Sequence, residues 1–394
     1  MERLVGTVSR GIRAPIVRQG DDIAQIVVDS VLNAAESEGF SLRDRDVVAV
    51  TEAVVARAQG NYVTVDQVAQ DIRAKFPAKK LGLVFPILSR NRFSMCLKAI
   101  ARAMDEVVVL FSYPNDEVGN PLMVRSAYLK NRYSGVYDFE EADFVKTFGS
   151  PVHPFTGVNY LDFYREVIES EGAKATFLFS NDCRYIASYC DSILCCDIHT
   201  RNETRDVLQS MGKQVLTLAD IMNAPVDGSG YHEAYGMLGS NKANEEKLKL
   251  FPRNCQPVVE GIQARIKAER GLDVEVMVYG DGAFKDPVGG IWELADPVVS
   301  PAYTAGLAGK PNELKLKFLA DNDFADLSGE ALQEAIRQEI RAKREDLVGD
   351  MSSEGTTPRQ YTDLLGSLCD LTSGSGDKGT PFIVIQNYFN NYAG

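Results

Sequence analysis

Short apolar runs alternate with stretches of helical periodicity along most of this 394-residue chain. In the stretch from Asp21 to Gly39, apolar side chains recur every three or four positions between Ile23 and Ala34, which is typical of an amphipathic helix. Asp21 or Asp22 can cap the start of this helix, and the glycine can end it. Repeated strand-like runs between such helices predict a mixed α/β fold.

The alternation changes character between residues 115 and 160, where the sequence is turn-rich and aromatic, and it resumes at residue 174. Three strand-like runs then follow, KATFLFSND, SILCCDI and QVLTL, with helical stretches between them. This order predicts a compact βαβαβ unit. We therefore divide the chain into an N-terminal part (1–125), an inserted α/β lobe (126–245) and a C-terminal part (246–394).

Composition excludes several classes of protein. The formal net charge is -13, whereas a general nucleic-acid-binding surface needs a basic face. The seven cysteines form no CxxC pair and there are only three histidines, which argues against a zinc site and indicates reduced thiols in a cytoplasmic protein. The sequence has no apolar run of the roughly 20 residues that span a bilayer, and no secretory signal is expected at its start.

Two segments near the N-terminus have the residue types of a binding site. The segment APIVRQGDD (14–22) places a proline-containing turn before a helix that starts with two aspartates, although helix capping explains the aspartates equally well. Arg57 lies among small and apolar residues close to Gly60. It is either an exposed arginine at a helix end or a cation that faces a ligand.

Two further segments lie in the last third of the chain. A strand-like run, VEVMVYG, leads to Asp281 between two glycines. A carboxylate at the carboxyl end of a strand is a good ligand for a hard cation, and an ordinary Asp-Gly turn is the alternative. The loop SGSGDKGTP (373–381) matches no Walker pattern. Its glycines either bring backbone N–H groups close to an anion or simply permit a tight turn.

The order of these four segments resembles the coenzyme F-420 γ-glutamyl ligase family. The family's proline-containing turn before G-D-D-L corresponds to residues 14–22, and its S-K-A-E-G-R motif corresponds to residues 56–61. Its D-T-x-G-R motif retains Asp281, and its G-Q-x-x-x-G-x-P loop corresponds to residues 374–381. Where the family has serine, lysine, threonine and glutamine, this chain has Ala56, Arg57, Gly282 and Ser375.

This resemblance covers about the first 75 and about the last 140 residues. It therefore implies one composite N- and C-terminal α/β body that carries the central segment as an insertion. Enzymes of the family are homodimeric amide ligases that use GTP and a divalent metal to attach L-glutamate to a deazaflavin precursor. The resemblance implies GTP (or ATP) as co-substrate, Mg²⁺ or Mn²⁺ as metal, small-molecule acid and amino-acid substrates, and a homodimer.

Carried over position by position, the resemblance also implies site residues. Asp281 and Arg57 would be catalytic. The nucleotide would be bound by Ala14, Pro15, Ile16, Val17, Arg57, Gly374, Ser375, Gly376, Asp377 and Gly379. The family's N-A-G-I-D metal motif is not visible, and SYPNDEVGNP (112–121) is its substitute here, so the metal ligands would be Asp281, Asp116 and Glu117.

Two alternatives remain open at this point. The chain can be a different enzyme on the same scaffold, with the inserted lobe reshaping the substrate site, or a non-catalytic protein that binds a nucleotide or metabolite. A second carboxylate within metal-sharing distance of Asp281, next to the glycine loop, favours an enzyme.

Overall fold

The computed structural model describes residues 4–132, 135–280, 284–285, 292–293, 298–353, 360–373 and 377–394. Its strands are β1 (Val8–Ile12), β2 (Val47–Thr51), β3 (Tyr62–Thr64), β4 (Lys80–Val84), β5 (Glu106–Phe111), β6 (Phe139–Glu140), β7 (Lys174–Phe179), β8 (Ser192–Cys195), β9 (Gln214–Thr217), β10 (Asn241–Asn244), β11 (Lys247–Lys249), β12 (Glu275–Tyr279), β13 (Phe284–Lys285), β14 (Trp292–Glu293), β15 (Ala302–Tyr303) and β16 (Phe382–Gln386).

Twelve α-helices lie in the described part of the chain. They are α1 (Ile23–Glu38), α2 (Glu52–Gln59), α3 (Val65–Lys75), α4 (Phe93–Ala103), α5 (Arg125–Asn131), α6 (Glu141–Phe148), α7 (Tyr160–Ser170), α8 (Arg201–Ser210), α9 (Gln256–Arg270), α10 (Leu316–Asp321), α11 (Gly329–Ala342) and α12 (Tyr361–Ser373). In this part of the chain, no helix has the length and apolar character needed to cross a membrane. The predicted α/β class is confirmed.

A five-stranded sheet combines strands from both ends of the sequence, in the order β1-β16-β2-β12-β15. Strands β2 and β12 are parallel, with Val48 opposite Val276, and the other pairs are antiparallel. Alternate side chains bury themselves on the two faces, because successive residues of a strand point in opposite directions. Val48, Val276 and Val384 pack with α1 and α9, whereas Met277 and Ile383 pack with α12.

Helix α1 shows why the local sequence signals are reliable here. The Asp22 side chain accepts a hydrogen bond from the Gln25 backbone N–H at 3.1 Å, and Arg265 of α9 pairs with the same carboxylate at 2.9 Å. The helix ends at Gly39, whose φ of 68° lies in the left-handed region that glycine adopts without strain. Both ends were predicted from the sequence.

A second, six-stranded sheet has the order β6-β7-β5-β4-β8-β9. All its neighbouring pairs are parallel except β6 with β7. In chain order the parallel strands lie as 3-2-1-4-5, which is the order of a doubly wound dinucleotide-binding sheet. Strands β4 and β5 belong to this sheet, although the sequence analysis grouped them with the N-terminal part. The segment boundaries at 125 and 245 stay predictions, and they do not coincide with the limits of the two sheets.

A small sheet and a buried ion pair connect the two halves of the chain. Strand β11 pairs with β3 and with β10. On β11, the Lys249 Nζ lies 2.8 and 2.6 Å from the two carboxylate oxygens of Glu52, the first residue of α2. Next to it, the Asn61 side chain donates to the carbonyl oxygens of Tyr231 and Phe251. These contacts fix helix α2 against the segment that follows the six-stranded sheet.

Candidate functional site

A cleft of about 460 Å³ opens at the carboxyl ends of the parallel strands β2 and β12. We name it the Arg57 cleft. It is lined by Ala14, Pro15, Ile16, Val17, Thr51, Ala53, Val54, Arg57, Tyr279, Asp370, Ser373, Gly379, Thr380 and Pro381. Ligands of α/β proteins commonly bind at the carboxyl ends of parallel strands, and the volume lies within the range of about 300–1,000 Å³ that small-molecule sites have.

The turn at residues 14–17 forms one wall of the cleft. The Ala14 backbone N–H donates to the carbonyl of Gly379 at 3.1 Å, and the Thr51 N–H donates to the carbonyl of Pro381 at 3.0 Å. These two bonds join the chain after β1 and the end of β2 to the loop before β16. Ile16 projects from the turn and is 76% exposed, whereas Val17 is buried. The turn therefore has a backbone that is tied to the loop before β16, and it exposes Pro15 and Ile16.

Arg57 is the basic residue of the cleft lining, and it lies in the last turn of α2. The helix ends at Gly60 in the left-handed region, with the Gln19 side chain packed where a Cβ would stand. Arg57 is exposed, and within the described ranges it forms no ion pair or hydrogen bond through its side chain. A guanidinium without an acidic partner is available to an anionic ligand.

Only part of the glycine loop can be placed. Gly374, Ser375 and Gly376 lie outside the described residues. Gly379 lines the cleft with a φ of 66°, and a Cβ there would meet no atom within 4 Å. A glycine at position 379 is therefore explained by the positive φ of the backbone and not by close packing. Asp377 is exposed and does not belong to the cleft lining.

Asp281, the predicted catalytic and metal-binding carboxylate, also lies outside the described residues. It follows Tyr279, a residue of the cleft lining, by two positions. The cleft lining includes a different carboxylate that the sequence analysis missed, Asp370 of α12. Thr51, Tyr279 and Ser373 were missed as well. Thr51 and Tyr279 could have been found from their positions, because they are the last residues of the two parallel strands, where ligands commonly bind.

Asp116 and Glu117 lie elsewhere, in the loop that follows β5 of the six-stranded sheet. Asp116 is buried and accepts hydrogen bonds from the Leu88 and Asn120 backbone N–H groups, each at 2.7 Å. The Glu117 carboxylate accepts from three successive backbone N–H groups, those of Ile198, His199 and Thr200, at 2.6 to 2.8 Å. Neither residue lines the Arg57 cleft. Their hydrogen bonds hold three loops at one edge of this sheet.

Asp197, just after β8, is a fully buried carboxyl group beside Glu117. Its Oδ2 accepts from the hydroxyls of Thr200 and Thr204 at 2.7 and 2.8 Å. Its Oδ1 has no hydrogen-bond partner within the described part of the chain. Burial raises the pKa of Asp197 to about 6, and the nearby Glu117 charge adds to this effect. A buried carboxylate that lacks one partner lowers stability when it is ionised.

We expect Asp197→Asn to make the stability of the protein less dependent on pH. The folded-state pKa of about 6 exceeds the ordinary value of 3.8. The carboxyl group therefore contributes stability that is fully present below about pH 4 and is lost as the pH rises through 6. Between pH 5 and pH 8, the wild type should lose about 1–2 kcal/mol more than the variant, as measured by urea unfolding.

The exposed Asp206 on the following helix offers a matched control, because Asp206→Asn should leave the pH profile of the wild type unchanged. Parallel profiles for wild type and Asp197→Asn would contradict the assignment of a buried, raised pKa to this carboxyl group.

Among the described residues, no three side chains of His, Cys, Asp or Glu form a group that could hold a metal ion. Of the three predicted ligands, Asp116 and Glu117 lie in the loop after β5, and Asp281 lies outside the described residues. The discriminating observation, a second carboxylate next to Asp281, therefore stays open. Asp370 is the candidate for this second carboxylate, because it belongs to the lining of the Arg57 cleft.

Comparison with known proteins identifies the family to which this chain belongs. A search of curated proteins finds none that matches. The family model for F-420-0:gamma-glutamyl ligase matches residues 11–387, a span that includes the central segment as well as both ends. The resemblance inferred from the four motifs is thereby confirmed over a longer stretch than the motifs themselves cover. The chain belongs to the F-420-0:gamma-glutamyl ligase family, whose enzymes form carbon–nitrogen bonds between small molecules.

Proposed function

We propose that this protein is a nucleotide- and divalent-metal-dependent amide ligase that binds its nucleoside triphosphate in the Arg57 cleft. One observation carries the proposal. The 14–17 turn, Arg57 and Gly379, which are far apart in the sequence, line a single cleft at the carboxyl ends of parallel strands. These are three of the segments that the family resemblance marked for nucleotide binding, and family membership supplies the C–N bond-forming class.

The cleft fits the charge and size of a nucleotide. Its volume of about 460 Å³ accommodates a small-molecule ligand. Arg57 provides a guanidinium that can form two parallel hydrogen bonds to phosphate oxygens. Ile16 and Val54 provide apolar surface on the same lining, which suits the base or sugar of a nucleotide. Thr51 provides a hydroxyl group that can donate to phosphate.

In the proposed reaction, a carboxylate oxygen of the acid substrate attacks the γ-phosphorus of GTP or ATP. The new P–O bond forms as the bond to the β-phosphate bridging oxygen breaks, and nucleoside diphosphate leaves. The amine of an amino acid such as L-glutamate then attacks the acyl carbon, loses a proton and displaces inorganic phosphate. Arg57 stabilises the negative charge on the transferring phosphoryl group, so the protein acts through positioning and charge.

A divalent cation, Mg²⁺ or Mn²⁺, would neutralise phosphate charge in such a site. Oxygen ligands suit these ions, and the cleft offers the Asp370 carboxylate. Asp281, two residues beyond Tyr279 in the sequence, is the second carboxylate of this proposal. Asp116 and Glu117 are not part of it, because their oxygens hold loops of the second sheet.

The first test is stabilisation by nucleotide. GTP or ATP with Mg²⁺ or Mn²⁺, at 100 times its dissociation constant, should stabilise the wild type by about 2.7 kcal/mol, a change that a thermal-shift assay detects. Arg57→Gln should bind the same nucleotide at least about tenfold more weakly, since it loses a charged hydrogen-bond donor to phosphate.

Arg18→Gln is the matched control, because Arg18 is also exposed and lies next to the 14–17 turn but outside the cleft lining. Its nucleotide affinity should equal that of the wild type. A wild type that no nucleotide stabilises, with or without metal, would refute the proposal. Unchanged affinity in Arg57→Gln would place the nucleotide elsewhere.

The second test concerns the metal. Asp281→Asn should weaken Mn²⁺ binding measured by calorimetry while it leaves the melting temperature of the metal-free protein unchanged, because the amide is isosteric but uncharged. Glu117→Gln is the comparison variant, and its Mn²⁺ affinity should match that of the wild type. The same Mn²⁺ affinity in Asp281→Asn and wild type would exclude Asp281 as a ligand.

We also propose that the chain forms a homodimer, as the family resemblance implies. The described surface includes large exposed apolar side chains, such as Tyr137 and Phe155, which are common in interfaces. A monomeric mass by light scattering at micromolar concentration would contradict this proposal.

A further inference from the structure

A second cleft, of about 420 Å³, opens at the other end of the strands that form the Arg57 cleft. It is lined by Val5, Val8, Arg10, Gly39, Phe40, Ser41, Arg43, Gln386 and Asn387. We name it the Arg10 cleft. It uses the carboxyl end of β16, whereas the Arg57 cleft uses the residues before β16. A five-residue strand places its two ends roughly 13 Å apart. The two clefts therefore lie at opposite ends of the strands of one sheet.

Arg10 is held in place by contacts with neutral groups. Its Nη1 donates to the side-chain carbonyl of Gln386 at 2.7 Å, and its guanidinium carbon lies 4.6 Å from the ring centre of Phe40. The Gln386 amide is itself fixed, because its Nε2 donates to the Ser41 carbonyl at 3.0 Å and to Asp46 Oδ2 at 2.6 Å. The guanidinium is therefore oriented before any ligand arrives, which lowers the entropic cost of binding.

Arg43 is held in the same way by Asn387, the residue that follows Gln386. Its Nη1 donates to Asn387 Oδ1 at 3.0 Å. Asn387 has a φ of 62°, a left-handed conformation that asparagine tolerates better than most side chains. Its Nδ2 donates to the Gly6 carbonyl at 3.3 Å. Two adjacent amide side chains thus position two guanidinium groups at the lining of one cleft.

Within the part of the chain that the structure describes, neither Arg10 nor Arg43 forms an ion pair. The acidic member of the network is Asp46, which is 2% exposed and bonds to the Gln386 amide and to the Arg43 backbone N–H. The protein as a whole carries a net charge of -13. Two unpaired, pre-positioned cations in one cleft of an acidic protein are a local exception that favours an anionic ligand.

We propose that the Arg10 cleft binds a small-molecule oxyanion, a phosphate or a polycarboxylate, through Arg10 and Arg43. Planar guanidinium groups match the geometry of both kinds of oxyanion. The cleft volume exceeds that of inorganic phosphate and fits an organic anion. Strand β16 links this site to the Arg57 cleft, because the strand contributes Gln386 to one cleft and follows Pro381 of the other.

Calorimetric titration of the full chain with pyrophosphate and with citrate, in metal-free buffer, tests this proposal. At least one of the two should bind saturably to the wild type. Arg43→Gln, at an exposed position, should raise the dissociation constant at least about tenfold, and Arg10→Gln combined with Arg43→Gln should abolish binding. Pyrophosphate binding alone identifies a phosphate ligand, citrate binding alone a carboxylate ligand, and both outcomes support an oxyanion site.

Two controls separate this site from other cations. Arg45→Gln changes an exposed arginine that stacks on Phe389 outside the cleft lining, and Arg18→Gln changes an exposed arginine that lies outside both cleft linings. Both should retain wild-type anion affinity. The proposal is overturned if neither anion binds the wild type, if Arg43→Gln binds as well as the wild type, or if either control loses binding to the same extent.

Discussion

Replacing Lys249 with methionine should lower the free energy of unfolding by about 3–5 kcal/mol, because it leaves a buried carboxylate without its cation. Lys249 and Glu52 are both buried, with 10% and 6% of their side chains exposed, and the ammonium lies within 2.8 Å of both carboxylate oxygens. The change is measured as a shift of the denaturant midpoint. Because Glu52 starts the helix that carries Arg57, the same variant should weaken nucleotide binding.

A double variant distinguishes loss of the pair from loss of packing. Glu52→Gln combined with Lys249→Met removes both charges, so most of the stability should return. Lys213→Met is the comparison for an ion pair with an exposed partner, since Asp191 opposite it is 95% exposed, and it should cost less than about 1 kcal/mol. A Lys249→Met protein within about 1 kcal/mol of the wild type would show that the pair is not an essential contact.

Gly236→Ala should destabilise the protein by about 3 kcal/mol or more, since two costs combine. Gly236 has a φ of 51°, and a Cβ there would lie 2.3, 2.5 and 2.7 Å from the backbone oxygens of Ile221, Ala219 and Leu218. The left-handed backbone costs an alanine about 1–2 kcal/mol, and overpacking against rigid backbone typically adds about 1–3 kcal/mol.

Gly228→Ala provides the matched control, because Gly228 also has a positive φ, 72°, but a Cβ there would meet no atom within 4 Å. It should cost only the backbone contribution of about 1–2 kcal/mol. Denaturant unfolding of the two variants side by side measures the difference. Equal losses in both would mean that the three carbonyl groups move aside without cost.

Local features of the fold were predictable from the sequence because neighbouring residues determine them. The ends of α1 at Asp22 and Gly39 follow from capping chemistry. Strand pairing is different, because it depends on contacts between distant residues. Strands β4 and β5 were assigned to the N-terminal part by their sequence position, but they pair with β7 and β8, about 70 to 110 residues later in the chain. Their apolar composition says that they are buried and does not say in which sheet.

Some features of the candidate site were predicted from the sequence, and others were not. The meeting of the 14–17 turn, Arg57 and Gly379 came from the family resemblance, since no local pattern connects positions more than 300 residues apart. Asp370 and Tyr279 were missed, because an aspartate on a helix and a tyrosine in a buried strand are ordinary in those settings. Asp116 and Glu117 have the composition of a metal site, yet their oxygens accept hydrogen bonds from loop backbones. The sequence shows that a residue is a carboxylate, but it does not show which groups that carboxylate bonds to.

The position of β16 between β1 and β2 has a consequence for synthesis on the ribosome. Every strand of the six-stranded sheet lies between residues 80 and 217, so that sheet can form while later residues are still being translated. The five-stranded sheet lacks its connecting strand until the last of the strands emerges. Until then β1 and β2 have exposed edges, which can pair wrongly with other nascent chains. We therefore expect newly made protein to depend on holding chaperones for this sheet and not for the other.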